Sequence, residues 1–248
     1  MILSCAETGK DESASAELLS KDVRLALVAQ ARWAMSAHNR QPWEIQLDRA
    51  DAQLLRVYLA SDRLLPATDP YSRQIVMSIG GFLELLQEAA SARGYGTRID
   101  PFPEGALAAE DDGTSFTRPV ASVRITPASG PAESGTPDAI TSATIKANLG
   151  TAAFPPAQEQ AYLKLNVWDG VRLRFLQDED SLAQLEPLLR GAFRLEMQHE
   201  PTLLESYRLM RRNRRQIAER PWGLSYGRSG VFEAQAISTG KSIKPPYS

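Results

Sequence analysis

The feature that most constrains the fold is a one-sided apolar helix whose two ends are marked in the sequence. Asp69 is a favoured N-cap, Pro70 suits the first helical position, and Gly94 supplies the left-handed residue that ends a helix. The apolar residues between them recur at helical spacing: Ile75, Ile79, Phe82, Leu86 and Ala90. Such a face must be buried, so the helix requires a second layer of structure to cover it.

Short alternating segments predict that this second layer is a sheet. The predicted strands are Trp43–Leu47, Leu54–Leu59, 120–126 and 171–176. Helices are predicted at 16–34, 139–149 and 157–165, in a long segment from Ser181 or Asp180 to about His199, and at 201–218. The repeated strand–helix–strand order of a doubly wound sheet is missing. We therefore predict an α+β fold, a mixed or antiparallel sheet flanked by helices.

Changes in composition divide the chain into four predicted segments. Residues 1–15 are predicted to be a disordered leader, 16–126 a first folded half, 127–138 a linker rich in Pro, Gly, Ser and Ala, and 139–248 a second half. Ile2-Leu3-Ser4-Cys5 has an alternative interpretation as the end of a bacterial lipoprotein signal whose front is missing. That alternative places the protein in the cell envelope.

Charge and cysteine content favour a cytoplasmic protein that binds its ligands at a local site. The net charge of -2 provides no general attraction to nucleic acid or to anionic lipid. Cys5 is the single cysteine, and no apolar run approaches the roughly 20 residues of a membrane span. We therefore predict neither a nucleic-acid partner nor a membrane span. The arginine-rich stretch 208–215 is interpreted as a solvated helix face, with phosphate or nucleic-acid contact as the alternatives.

Hydrogen-bonding side chains are concentrated in the octet Ser36-Ala37-His38-Asn39-Arg40-Gln41-Pro42-Trp43. The amides of Asn39 and Gln41 both donate and accept, as the edge of an isoalloxazine ring requires of its partners. Ser36 and Arg40 suit ribityl hydroxyls and a phosphate. By composition alone, a polar turn that caps helix ends is the alternative. The Gly80-Gly81 pair inside the predicted helix indicates either close helix packing or a flat ligand lying against it.

Two motifs give the chain its resemblance to a known family. The octet is similar to the flavin-binding segment of the FMN-dependent nitroreductase family, and its His before Asn resembles the longer, internally duplicated branch. Asp69-Pro70-Tyr71-Ser72-Arg73, followed by Ser78-Ile79-Gly80, is similar to that branch's helix start. A weaker likeness covers residues 194–196, 208–210 and 217–223. The resemblance thus implies a nitroreductase-like fold.

The resemblance also implies roles for individual residues, an activity and an oligomeric state. Ser36, Asn39 and Gln41 would contact the FMN ring or ribityl chain, His38 and Arg40 would lie close by, and Arg73 would reach the phosphate or brace the octet. The flavin would carry the chemistry, with NADH or NADPH as hydride donor and a nitroaromatic, quinone or similar small molecule as electron acceptor. No catalytic acid, base or metal ligand is implied. A homodimer is the implied assembly.

Departures from the family pattern support a second hypothesis. The family's arginine-rich phosphate motif is missing upstream of the octet, where the chain has Arg24 and Arg32 outside that pattern. It is missing again at 145–154, and the resemblance predicts a longer second half. The alternative is therefore a protein that binds or sequesters flavin, or a degenerate nitroreductase fold, without turnover.

Overall fold

The computed structural model of the chain describes residues 2–3, 22–105, 107, 117–128, 155–165, 171–211, 214–219 and 222–225. They fall into two units, the first from Met1–Thr144 with Glu205–Ser248 and the second from Ile145–Leu204. This division differs from the predicted halves, because the described residues from Glu205 onward belong to the first unit. The Glu205 carboxylate accepts hydrogen bonds from the backbone N–H groups of Ala67 and Thr68 at 3.2 and 2.8 Å.

Five of the described strands of the first unit form an antiparallel sheet in the order β1-β2-β3-β5-β4. They are β1 (Ile2–Leu3), β2 (Trp43–Leu47), β3 (Leu54–Leu59), β4 (Tyr95–Pro101) and β5 (Ala121–Pro127). The sheet and helices confirm a mixed helix-and-sheet architecture. β2 and β3 have the predicted bounds, and β5 begins one residue later than predicted. Ile2–Leu3, inside the predicted leader, pairs with β2, whereas residues 4–21 lie outside the described residues.

The predicted apolar helix is the centre of the core. Helix α1 (Val23–Ala31) and helix α2 (Arg73–Ser91) contribute to one buried cluster with β2, β3 and β5. All five residues of the predicted stripe of α2 are buried, and Phe82 stacks on Trp43 with ring centroids 5.1 Å apart. Burying large side chains in this way supplies the main stabilisation of the unit.

Both ends of α2 differ slightly from the prediction. The helix begins at Arg73 rather than Pro70, because Ser72 is left-handed with φ 52°. Asp69 still serves the helix N-terminus, since its carboxylate accepts from the N–H groups of Arg73 and Ile75 at 2.9 and 3.0 Å. Gly94 is left-handed with φ 75°, as predicted, three residues after the helix ends at Ser91.

Asp22 caps α1, and its replacement gives a prediction about pH. Its Oδ1 accepts from the Arg24 N–H at 2.9 Å, and its Oδ2 lies 2.8 Å from the Arg24 guanidinium. This hydrogen-bonded arginine lowers the pKa of Asp22. A lowered pKa stabilises the fold above the unfolded-state pKa, and the contribution is lost as the pH falls through the folded-state pKa.

Asparagine at position 22 would still cap the helix but would carry no charge. We expect the free energy of unfolding of the Asp22→Asn variant to be about 1 kcal/mol lower than that of wild type at neutral pH. The difference should shrink toward zero in acid, because the wild-type carboxylate is then protonated as well. Urea denaturation at a series of pH values from about 7 down to about 3 measures this difference. A difference independent of pH would show that the Asp22–Arg24 charge pair does not stabilise α1.

The described part of the second unit consists mainly of two helices. Helix α3 (Pro156–Leu165) confirms the predicted helix at 157–165. Helix α4 (Glu179–Gln198) is capped by Asp178, whose Oδ1 accepts from the Ser181 N–H at 2.8 Å. The predicted strand at 171–176 is wrong, because the segment has no regular secondary structure and pairs with no described strand. The predicted helix at 139–149 and most of the linker lie outside the described residues.

The C-terminal region is not the single helix predicted for 201–218. Helix α5 (Glu200–Arg208) is followed by β6 (Met210–Arg211), then by helix α6 (Arg214–Glu219) and β7 (Leu224–Ser225), which pairs with β6 in parallel. The helix ends because its following backbone has tertiary partners: the Leu224 N–H donates to the Leu209 carbonyl at 3.0 Å. Among the helices described, each is too short or too polar to serve as a membrane span.

Candidate functional site

The octet adopts an unusual backbone conformation. It contains a 3-10 turn, Ala37–Asn39, between α1 and β2. His38, Asn39 and Gln41 all have positive φ, at 48°, 51° and 47°. Asn and His tolerate the left-handed region better than most residues, whereas Gln has no such advantage. Left-handed residues so close together need support from the surrounding structure to persist.

That support comes first from two serine hydroxyls. The Ser36 Oγ accepts a hydrogen bond from the Gln41 N–H at 2.9 Å and so closes the loop across its base. The Ala37 N–H donates to the Ser78 Oγ at 3.0 Å, and that hydroxyl donates to the Gln74 carbonyl at 2.7 Å. Ser78 therefore fastens the octet to α2, which brings the two motifs of the sequence into contact.

Two buried arginines provide the second support. Arg40 donates from Nε to the Arg63 carbonyl at 2.9 Å and from Nη2 to the Asp62 carbonyl. Arg63 donates in return from Nη1 to the Gln41 carbonyl at 2.9 Å. Burial lowers the pKa of Arg40, Asp62 opposes that shift, and the positive charges of Arg63 and Arg211 add to it. Hydrogen bonds from each arginine side chain to the backbone of the other segment therefore hold the octet against residues 61–63.

The C-terminal region forms the third support. The Gly223 N–H donates to the Asn39 carbonyl at 2.8 Å, and the Asn39 amide Nδ2 donates back to the Gly223 carbonyl at 3.1 Å. The Trp222 ring lies against the Arg63 guanidinium, with 4.6 Å between the guanidinium carbon and the ring centroid. A cation over an aromatic face is attracted by the ring quadrupole, so Arg63 links the octet to this segment.

The predicted site residues therefore lie in three places: the turn of the octet, the interior beside residues 61–63, and the start of α2. Ser36, Asn39 and Gln41 lie together, and the Gln41 Nε2 is 3.4 Å from the Asn39 Oδ1. His38 is half-buried in the same turn. Arg40 faces backbone carbonyls in the interior. Arg73 is exposed at the start of α2, with its guanidinium carbon 5.6 Å from the centroid of the Tyr71 ring.

The glycine pair of α2 lies on an exposed part of the same region. A Cβ built on Gly81 would be 3.8 Å from the Met35 carbonyl, and one built on Gly80 would have no described atom within 4 Å. Close helix packing therefore does not account for Gly80. Exposed apolar side chains border the pair, since Met35 and Met77 are 69% and 75% exposed. The two glycines and the two methionines thus form a small exposed apolar surface beside the octet.

Arg63, Trp222, Gly223 and Glu205 are the participants that the sequence interpretation did not select. The weak likeness at 217–223 was the one signal for Trp222 and Gly223. Arg63 could not be distinguished from other charged loop residues by spacing. The basic stretch 208–215 does not form one helix face: Arg211 is buried and donates to the Leu209 carbonyl at 3.1 Å, whereas Arg215 pairs with Glu219 at 2.8 Å.

No family model matches this chain, and no curated protein matches it.

Proposed function

We propose that the octet binds the isoalloxazine ring of FMN and that the protein is an FMN-dependent oxidoreductase of nitroreductase type, with a nitroreductase-like fold. The observation that carries this proposal is the positive φ of three residues of the octet, His38, Asn39 and Gln41, the last of which is hydrogen-bonded to Ser36 and Arg63. Non-glycine residues with left-handed backbone conformations are concentrated at binding and active sites, where the surrounding structure compensates for their conformational energy.

The side chains fit the ring edge. The Asn39 Nδ2 donates to the Gly223 carbonyl and the Gln41 Nε2 donates to the Asn39 Oδ1. Each amide has a second N–H and a further oxygen lone pair, which would suit the alternating carbonyls and N–H of an isoalloxazine. The Ser36 hydroxyl accepts the Gln41 N–H and keeps its own proton to donate. The apolar surface at Gly80 and Gly81 suits a flat ring system.

The phosphate side fits less completely. Arg40 is engaged by two carbonyls in the interior, so we assign it to bracing the octet. Arg73 is exposed, and of the two arginines predicted to lie at the flavin site it is the one whose guanidinium could contact the phosphate. Arg24 has a structural role: its Nη1 donates to the carbonyls of Asp48, Asp51 and Leu54 at 2.8 to 3.0 Å.

Bound FMN would supply the redox chemistry, taking hydride from NADH or NADPH and passing electrons to a nitroaromatic, quinone or similar acceptor. The contribution of this chain is positional: it fixes the ring edge with Asn39 and Gln41 through a backbone that need not reorganise on binding. The arginines of the stretch 208–215 do not favour nucleic-acid binding, because Arg211 is buried and Arg215 is paired with Glu219. We also propose a cytoplasmic location and a homodimer, as the sequence analysis predicts.

A second candidate is a flavin-binding protein without turnover. It is favoured by the pairing of Gly223 with Asn39, because this segment covers one side of the octet. The two functions are separated by mixing the FMN-loaded protein with NADH or NADPH in the absence of oxygen. Bleaching of the flavin absorption, followed by its recovery on adding a nitroaromatic or quinone, supports the oxidoreductase. Bound flavin that neither nucleotide reduces supports the second candidate, and a protein that binds no FMN contradicts both.

Arg73 gives a prediction about which part of the ligand it recognises. We expect Arg73→Gln to weaken FMN binding by about tenfold, the effect of losing one charge-assisted hydrogen bond to a phosphate. Riboflavin has no phosphate, so its affinity should not change. Fluorescence titrations of both flavins measure this, with Arg98→Gln, an exposed arginine on β4, as the control. Equal losses for both flavins would show that Arg73 does not contact the phosphate.

A further inference from the structure

The two most exposed large apolar side chains in the described part of the first unit are both methionines. Met77 and Met35 are 75% and 69% exposed, whereas Met210, in β6, is 7% exposed. A thioether that faces solvent is open to oxidation, and one that is buried is protected from it. The first unit therefore presents two accessible thioethers and keeps a third one inside.

Both exposed methionines lie beside the residues that support the octet. Each directly precedes one of the two serines whose hydroxyls hold the octet, in the pairs Met35-Ser36 and Met77-Ser78. Met77 also shares the exposed face of α2 with Gly80-Gly81, three and four residues further along the helix. We call Met35, Met77, Gly80 and Gly81 the methionine surface. Since the glycines add no side chains, the two thioethers give this surface its apolar character.

Oxidation of a thioether by hydrogen peroxide changes the polarity of the side chain but not its charge. A lone pair of the sulfur attacks one peroxide oxygen, the O–O bond breaks and an S–O bond forms. The departing hydroxide takes the proton of the transferred hydroxyl and leaves as water, so the sulfur has given up two electrons. The product, methionine sulfoxide, carries a strongly polar S–O group where the apolar sulfur was.

We propose that Met35 and Met77 form a site of reversible methionine oxidation, and that their conversion to sulfoxides weakens the binding of a flat aromatic ligand at the methionine surface. The face of a ring lying there would bury the S–O groups without supplying a hydrogen-bond donor, which is unfavourable. The effect on binding rests on the proposed function, in which the ligand is FMN. The fold should survive oxidation, because the hydrogen bonds that Ser36 and Ser78 make to the octet do not involve the thioethers.

Graded exposure of the full-length protein to hydrogen peroxide, followed by peptide mapping with mass spectrometry, tests the site itself. We expect Met35 and Met77 to be oxidised at least about tenfold faster than Met210, because burial protects the Met210 thioether. In denaturing urea the three residues should react at similar rates, which would show that the fold sets the difference. Equal rates in the folded protein, or a Met210 that is oxidised first, would overturn the proposal.

Fluorescence titration with FMN measures the consequence for binding. We expect peroxide treatment to weaken FMN binding by the wild type about tenfold, and reduction by two methionine sulfoxide reductases, one for each sulfoxide epimer, to restore it. A chain carrying both Met35→Leu and Met77→Leu should have the same affinity before and after peroxide. Met197→Leu, which removes a half-buried methionine of α4, should respond as the wild type does. Oxidised wild type that keeps its affinity, or an equal loss in the double leucine variant, would overturn the proposal.

Hydrophobic-interaction chromatography without FMN distinguishes a failure of this inference from a failure of the flavin site. Oxidised wild type should elute earlier than untreated wild type, and the double leucine variant should not shift. If the untreated wild type binds no FMN, the proposed flavin site fails, and the elution shift then decides whether oxidation of Met35 and Met77 changes the methionine surface. Identical elution of oxidised and untreated wild type would overturn the inference.

Discussion

Replacing Arg63 with methionine is expected to lower the free energy of unfolding of the first unit by about 3 kcal/mol and to weaken FMN binding at least tenfold. The side chain is 4% exposed, donates to the Gln41 carbonyl and lies against Trp222. A hydrogen bond from a charged group contributes about 1.5–3 kcal/mol, and a desolvated cation–π contact up to about 2. Methionine has a similar length but makes neither interaction.

The flavin effect is expected because the Arg63 bond holds a strained residue. Without it, Gln41 loses the contact on its carbonyl that helps to keep φ at 47°. The ring-binding amide would then no longer be held in place before the ligand arrives. Urea denaturation followed by tryptophan fluorescence, with FMN titration of the same samples, measures both quantities.

Arg56→Met is the matched control for Arg63→Met. Arg56 is a partly exposed arginine of β3 that pairs with Asp48 at 2.9 Å. Since exposed ion pairs contribute at most about 1 kcal/mol, this variant should remain close to wild type in stability and in FMN affinity. If the two methionine variants were equally stable, Arg63 would not be the link between the octet and the C-terminal segment.

Gly223→Ala is the second substitution with a large expected effect. Gly223 has φ 98°, and a Cβ at this position would be 2.5 Å from the Leu209 carbonyl oxygen. That distance is too short for any side chain, and the obstacle is backbone. We expect the backbone at 222–224 to shift, breaking the pairing with Asn39, at a loss of about 2–4 kcal/mol in unfolding free energy.

Gly105→Ala separates the clash from the backbone conformation. Gly105 has a nearly identical φ of 95°, but a Cβ there would have no described atom within 4 Å. It should therefore lose about 1 kcal/mol, from the left-handed conformation alone. Urea denaturation of both variants, followed by tryptophan fluorescence, measures the difference. Equal losses would mean that the segment around Gly223 is free to move and does not support the octet.

Much of the core could be predicted because its periodicity is strong. The stripe of α2 repeats every third or fourth residue, and β2 and β3 alternate over their whole length, so their burial follows from pattern alone. β4 was not predicted, because it is an edge strand with mostly half-buried or exposed side chains and no clear alternation. The segment 171–176 shows the reverse, an alternating pattern without a strand to pair with.

The octet could be located from sequence, but its conformation could not. Its left-handed residues depend on bonds from Ser78, Arg63 and Gly223, the last of which is 184 positions from Asn39 in the chain. Local propensity contains no information on such contacts. The assignment of Arg40 to bracing has the same origin. Its guanidinium would suit a phosphate, and only the folded chain brings the carbonyls of Asp62 and Arg63 to it first.

The most direct test of the proposed flavin site is a fluorescence titration of FMN with the full-length protein and two glutamine variants. Gln41→Leu removes the amide that we propose contacts the flavin ring. Gln46→Leu is the matched control, since Gln46 lies on β2 and accepts a hydrogen bond from the Tyr58 hydroxyl. We predict saturable binding of FMN at one per chain by the wild type and by Gln46→Leu, with affinity at least about tenfold lower for Gln41→Leu. Absence of binding by the wild type, or equal affinities for all three proteins, would contradict the assignment of the octet as a flavin site.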